Sequence, residues 1–301
     1  MIDHKPFFKD KTLNKALFEE GYVTLPFLDQ SEVEQLKELF WKFHQDSEIE
    51  GLHVSAHLKD NDSVQSISDG IQAVFKRAID EHIENGMTVG GTFITKAANQ
   101  TECLEPHQDW SIVDESRFRS YTIWVPLEDT TDDNGCMYVL PKSHEYVRGY
   151  RHLTVASVFG QIYEVIWKHM TPVHLKAGEA VVFDHALGHA SKPNLTDKPR
   201  IAATHSLISE DPELRFYWNN NGVVEEYIGE KDFYNTEEAQ KGPGRLKKIR
   251  DLEFQMHQLT QQEFYTLAGI EPPKVEVPVP SETQEQKSEG GLKGWFKRLV
   301  S

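Results

Sequence analysis

Between residues 88 and 208 the chain runs as a succession of short β-rich segments with no regular helical pattern between them. The segments are TVGGTFITKA (88–97), YTIWVPLED (121–129), CMYVLPKS (136–143), TPVHLKAGEAVVFDH (171–185) and RIAATHSLI (200–208). Turn signals separate them, DDNG at 132–135, KAG at 176–178 and NLTDKP at 194–199. Several short strands without regular intervening helices predict a β-sandwich or barrel. One less regular stretch, 150–170, is expected to be a helical insertion or lid.

Helices flank this β region. TLNKALFEE (12–20) reads as a helix and GYVTLPFL (21–28) as a strand. Asp29 stands as the N-cap of SEVEQLKELFWKFHQ (31–45), where Val33, Leu36, Phe40 and Phe43 share one face. A second helix is expected over 65–84, with Ile67, Ile71, Val74, Phe75 and Ile79 at helical spacing. Helix is expected again near 246–267. The chain thus divides into one domain over 1–270, with a helical part (1–87), a β core (88–210) and a helical or irregular part (211–270). From 271 the composition turns to Pro, Glu, Gln and Ser, the signature of a disordered linker. It ends in LKGWFKRLVS (292–301), a short basic amphipathic tail whose alternatives are contact with a membrane surface or partner protein, or simple packing or fraying.

Charge narrows the function classes. With 32 basic and 48 acidic residues the net charge is −16, which disfavours nucleic acid and anionic membranes as partners. Two cysteines and no CxxC fit a reducing compartment. No apolar run approaches the ~20 residues of a membrane span, and the first 25 residues lack a signal-peptide pattern. A cytoplasmic protein without integral membrane insertion, acting on a small molecule, is the expectation.

The chemistry concentrates in EPHQDWS (105–111), where His107 and Asp109 stand two apart. On a strand such a pair faces one way, and imidazole with carboxylate suits Fe(II), Mn(II) or Zn(II). Alone, H-x-D reads more readily as surface polarity than as a metal site. A third ligand is available in EAVVFDHALGHASKPN (179–194), from either His185 or His189. Two histidines and a carboxylate make a facial triad that leaves coordination positions open. Arg200 opens the strand RIAATHSLI, and a guanidinium there offers a planar, permanently charged partner for a buried carboxylate.

Taken together, FEEGYVTLPFLDQSEVEQL (18–36), HQD (107–109), WVPLED (124–129), NGCMYVLPKSH (134–144) and GEAVVFDHALGHASKPNLTDKPRIA (178–202) resemble the phytanoyl-CoA dioxygenase family of Fe(II)- and 2-oxoglutarate-dependent oxygenases. The resemblance covers roughly residues 14–210. It implies a mainly β fold with flanking helices, the double-stranded β-helix or jelly roll of the cupin-like class. The family's distal motif, His-x-Ser-x-x-Asn followed by a turn and Arg, matches His189, Ser191, Asn194 and Arg200, which selects His189 over His185. The implied cofactors are Fe(II), 2-oxoglutarate and O2, with ascorbate as a supporting reductant. Arg200 and Ser191 are implied to hold the cosubstrate's far carboxylate and Gln108 its other end. Asp109, present where related halogenases carry a small residue, implies hydroxylation of a C–H bond with release of succinate and CO2. The chain departs from the family at Lys142, where glycine is common.

Trp110, Arg117 and Trp124 are the candidate substrate contacts, with core packing or solvated charge as the plainer reading of each. Arg117 and Arg119 are candidate receivers for a carboxylate-bearing substrate, and RFYW (215–218) a candidate closure of the mouth. Two rival functions remain at this level, a non-catalytic cupin-like binding protein and a metal-dependent hydrolase.

Overall fold

The computed structural model describes residues 5–45, 49–209, 212–234, 236–254 and 257–273. Residues up to Ile270 cluster into one compact unit. The linker and basic tail expected beyond 271 lie, past residue 273, outside the described residues.

Three helices and a strand open the chain: α1 (Lys11–Glu20), β1 (Tyr22–Pro26), α2 (Gln30–Phe43) and, after the short β2 (Leu52–Val54), α3 (Asn61–His82). Each helix begins at an aspartate, Asp10, Asp29 or Asp60, whose carboxylate accepts from free first-turn N–H groups. At α2 the cap is reciprocal, since Glu32 also accepts from the Asp29 N–H. Asp60 explains why α3 starts earlier than the apolar spacing alone suggests. Gly21 ends α1 at φ +83, and a Cβ there would meet the His144 ring at 2.5 Å.

The β region supplies β3 (Met87–Lys96), β4 (Leu104–His107), β5 (Ser120–Pro126), β6 (Met137–Val139), β7 (Thr171–Val173), β8 (Glu179–Asp184), β9 (His189–Ser191) and β10 (Arg200–Ile208). They form a six-stranded sheet ordered β1-β8-β5-β10-β3-β2 and a four-stranded sheet ordered β4-β9-β6-β7, with antiparallel pairing throughout. This is the jelly-roll arrangement of two sheets. Between 150 and 170 only α4 (Tyr163–Trp167) is helical, and the rest is irregular.

Both faces of the six-stranded sheet are covered, which is why YTIWVP reads as an unbroken apolar run. Ile123, Val125, Val182 and Ala203 pack outward with Val33, Leu36, Phe40, Ile71 and Phe75 of the helices. The alternate residues Trp124, Val181, Phe183 and Ala202 join Met137, Val139 and Val173 of the smaller sheet in a second core. At Lys142 the backbone is left-handed, φ +67, which accounts for the glycine usual there. Such a conformation costs a β-carbon-bearing residue ~1–2 kcal/mol.

The region after 210 corrects the sequence expectation. Instead of helix over 246–267 the chain forms a separate three-stranded sheet, β11 (Arg215–Asn220), β12 (Val223–Ile228) and β13 (Lys248–Leu252). A short α5 (Glu237–Lys241) lies between its strands, and among the described residues after 246 only α6 (Gln261–Ala268) is helical. Strand β13 is held largely by polar pairing across the sheet, with Arg250 Nε donating to Glu226 at 2.7 Å and Lys248 to Glu225. The RFYW patch lies in β11, where Phe216 and Trp218 pack around His152 with ring centroids 4.7 and 5.4 Å away.

Candidate metal centre

Strands β4 and β9 pair so that His107 and His189 are direct partners in register. Their rings consequently lie side by side, centroids 4.2 Å apart. Each ring is fixed by its Nδ1, which donates to a carbonyl two residues upstream on the chain: Glu105 O at 2.8 Å for His107 and Leu187 O at 3.0 Å for His189. That tautomer leaves both Nε2 lone pairs free. Asp109 meets them from just beyond the end of β4, not from within the strand as the i, i+2 argument supposed. Its Oδ1 lies 3.5 Å from His189 Nε2, and its Oδ2 accepts from Thr122 Oγ1 at 3.0 Å. One ligand atom from each of His107, Asp109 and His189 falls within 4.8 Å of the others.

The electrostatics match this donor set. Burial, reinforced by His189, pushes His107 down to about 4, so the ring is neutral near pH 7. Burial alone would raise Asp109, but His189, His185, His107 and the Thr122 hydroxyl hold it below the usual carboxylate range. A neutral His107 ring and an ionised Asp109 carboxylate are the forms in which these two groups bind a divalent metal. His185 is buried but not part of the cluster, and its Nδ1 bonds to Trp110 O at 3.1 Å.

Behind the triad is an inner cavity of about 90 Å3, lined among others by Thr122, Trp124, Phe183, Ser191, Arg200 and Thr204. Arg200, 3% exposed, lies with its guanidinium 5.2 Å from the Trp124 ring centroid. Its one hydrogen bond among the described residues is a long one, 3.4 Å to Ile94 O, and no carboxylate there comes within 4.0 Å. Burial pushes it down to about 10, with nearby Glu128 opposing. Glu128 is itself pushed up to about 7 by burial and is a poor counter-charge. A buried cation without a partner is costly, so this cavity is built to receive an anion.

Sequence reasoning missed Lys96. It stands opposite Arg200 in the β3–β10 register, 1% exposed, with Nζ donating to Ser191 O at 3.2 Å and Lys192 O at 2.5 Å. Burial and Arg200 push its ammonium down to about 8. Asn194 closes the same corner, its amide donating to Lys96 O, Ala97 O and Lys198 O.

A second, outer cavity of about 400 Å3 opens on the other side of His107 and is lined by Gln108, Trp110 and residues of the irregular 147–158 stretch. Gln108 therefore faces this cavity and not the inner one, and its amide is spent on Val147 O at 3.0 Å and Ala186 O at 2.6 Å. Arg151, also unforeseen, binds Glu115 through both terminal nitrogens and the Asp109 carbonyl through Nε at 2.8 Å. Ser111 adds bonds to Gly149 O and the Arg151 N–H. The metal motif and the outer wall are thus stitched into one unit.

The other candidate contacts separate. Trp110 lines the outer cavity and Trp124 the inner one. Arg117 is exposed, lies over the Phe118 ring and lines neither cavity. Arg119 is buried with Nη1 on the Glu115 and Phe118 carbonyls and Nε 3.9 Å from Asp184, and it lines neither cavity. A second metal-like group, Asp132, Cys136 and His174, exists near the surface. There Asp132 already accepts from Tyr138, and burial pushes the Cys136 thiol up to about 12, away from the thiolate a metal binds.

Fold and site define a jelly-roll protein of the 2-oxoglutarate oxygenase type. Solved structures of that architecture are similar: the non-heme α-ketoglutarate-dependent carbocyclase SnoK (18% identity, TM-score 0.51, covering 68% of this chain and 86% of that one). The epimerase SnoN, also from nogalamycin biosynthesis, gives 20% identity and a TM-score of 0.50 over 84% of this chain and 96% of its own. Likeness at that identity establishes the fold. The family model for phytanoyl-CoA dioxygenase matches residues 19–202, and the chain belongs to that family. Among curated relatives, a phytanoyl-CoA dioxygenase of Arabidopsis thaliana is 31% identical over 112 residues, 35% of this chain and 38% of that protein. A methylphosphonate hydroxylase of Gimesia maris is 29% identical over 93 residues, 30% of this chain and 34% of that protein. The chain spans between a third and a half of the length of the curated relatives it matches.

Proposed function

We propose that the chain is an Fe(II)- and 2-oxoglutarate-dependent dioxygenase that hydroxylates an unactivated C–H bond of a small organic molecule, with release of succinate and CO2. The observation that carries this is the pairing of two features across one cavity. Two imidazoles whose Nδ1 atoms are engaged with carbonyls turn their Nε2 atoms toward the Asp109 carboxylate at one end, and the Arg200 guanidinium, without a carboxylate partner among the described residues, waits at the other. His107, Asp109 and His189 hold the metal, and this nitrogen and oxygen donor set suits ferrous iron. When bound, iron supplies the oxygen activation that no side chain can.

The chain's own residues do the rest. Arg200 and Ser191 receive the far carboxylate of 2-oxoglutarate, and Lys96 fixes the backbone that carries Ser191. Thr122 orients Asp109. Arg151 and Gln108 hold the outer wall against the metal motif, so that water is limited and the substrate meets the site beside His107. Residues 1–270 act as one catalytic domain, and relatives named dioxygenase and hydroxylase support the reaction type. The two free cysteines suit a reducing compartment, and no described helix is long and apolar enough to cross a membrane. We place the enzyme in the cytoplasm on that basis.

Incubation with Fe(II), ascorbate and 2-oxoglutarate should release succinate, and Zn(II) in place of iron should not support it. A protein that binds 2-oxoglutarate without consuming it would be a cupin-like binder, and hydrolysis supported by zinc would favour the hydrolase reading.

A further inference from the structure

We infer that the outer cavity takes a neutral, largely apolar molecule, and that acidic substrates such as carboxylates, phosphonates and coenzyme A thioesters are not held there by charge. This rests on the reading above only in naming that molecule the substrate. At about 400 Å3 the cavity falls in the range of drug-sized ligand sites. Its walls are aromatic and aliphatic: Trp110, Tyr150 and Phe254, with Val147, Val155 and Val158. Tyr150 and Phe254 meet edge to face, centroids 5.1 Å apart. Leu153, 53% exposed, extends the apolar surface to the mouth.

The charges decide the class. Arg151 is the one lysine or arginine among the described lining residues, and none of its nitrogens is free. Nη1 and Nη2 bind the two Glu115 oxygens, and Nε binds Asp109 O. Glu115 neutralises it within a buried pair, which leaves no net attraction for an anion. His152 also lines the wall, and burial holds its ring neutral near pH 7. His257 is exposed and faces Glu263 at 2.9 Å. The two cavities either side of His107 are therefore opposite in kind. The inner one holds a guanidinium without a carboxylate partner among the described residues, and the outer one offers a ligand no free lysine or arginine. An acidic ligand would lose its hydration there without gaining a partner.

The test uses matched amide and carboxylate pairs on naphthalene, decalin and octyl skeletons, measured by equilibrium dialysis against the full chain. Wild type should bind the amide of at least one pair at least tenfold more tightly than its carboxylate. Glu115→Gln frees Arg151 and should raise carboxylate affinity about tenfold while leaving the amide within twofold, with circular dichroism confirming the fold. Leu153→Lys, at an exposed position, should shift preference the same way without risk to folding. Equal or tighter carboxylate binding by wild type that survives Arg200→Ala would overturn the inference, as would no amide binding in any pair. Parallel 2-oxoglutarate titrations separate the two readings: amide preference without 2-oxoglutarate binding sinks the proposed function and leaves the cavity assignment standing.

Discussion

Replacing Arg200 with methionine should weaken 2-oxoglutarate binding and stabilise the empty protein at the same time. The guanidinium is 3% exposed and has no carboxylate within 4.0 Å among the described residues, and burial lowers it from its ordinary value to about 10. That difference corresponds to ~3 kcal/mol of unrelieved cost at neutral pH, at ~1.4 kcal/mol per tenfold in proton affinity. The sign follows from linkage. The folded state holds this proton less tightly than the unfolded state, so the cost is full below about pH 10 and fades only as pH rises above it toward the ordinary guanidinium range. Methionine fills much of the volume without charge, and the lost stacking on Trp124 returns ~0.5–2 kcal/mol of the gain. A net ~1–2 kcal/mol should raise the melting temperature by a few degrees. Two charge-assisted hydrogen bonds to the cosubstrate, at ~1.5–3 kcal/mol each, make a loss of ~100-fold or more in 2-oxoglutarate affinity the expected functional effect. Thermal scans with and without 2-oxoglutarate read both quantities. Wild type should gain stability from the ligand, whereas the variant should start higher and gain none. A variant that melts lower than wild type when empty, or binds 2-oxoglutarate normally, would refute the reasoning.

Asp109→Ala removes the only carboxylate of the cluster and should reduce bound iron to background in metal analysis, with turnover lost in parallel. Thr122→Val deletes the hydroxyl that orients Asp109, and ~10–100-fold weaker metal binding is expected, measured by competition with a chelator. Lys96→Met should change the pH dependence of stability. Because the folded-state ammonium is lowered from 10.5 to about 8, wild type gains up to ~3 kcal/mol relative to the variant as pH rises between those values, and urea titrations at pH 7 and 10.5 would show it.

The helices and the six-stranded sheet were legible because their residues obey one period each. Val33, Leu36 and Phe40 mark a buried stripe, and Ile123, Trp124 and Val125 mark a strand covered on both faces. Strand β13 was not legible, since KIRDL alternates no apolar residues and is exposed nearly throughout, its partners being the carboxylates of β12. The β11–β12 hairpin did carry a signal, Asn221-Gly222, both left-handed at φ +53 and +95, that the expectation of a helical or irregular part over 211–270 passed over. At the site, His107 and Asp109 were visible as H-x-D, but their two-strand geometry was not, because Asp109 lies past the strand end. Arg151, Glu115 and Lys96 act through tertiary contacts with residues 36 to 96 positions away, a separation that no local pattern encodes.

The central claim is that one divalent ion is held by His107, Asp109 and His189 with an anion anchored on Arg200. An anaerobic crystal structure with Fe(II) and 2-oxoglutarate tests it most directly. The account predicts metal at ~2.0–2.2 Å from both Nε2 atoms and an Asp109 oxygen, with the far carboxylate of 2-oxoglutarate on the Arg200 guanidinium. Metal bound instead at Asp132, Cys136 and His174, or a cosubstrate lying in the outer cavity away from Arg200, would contradict it.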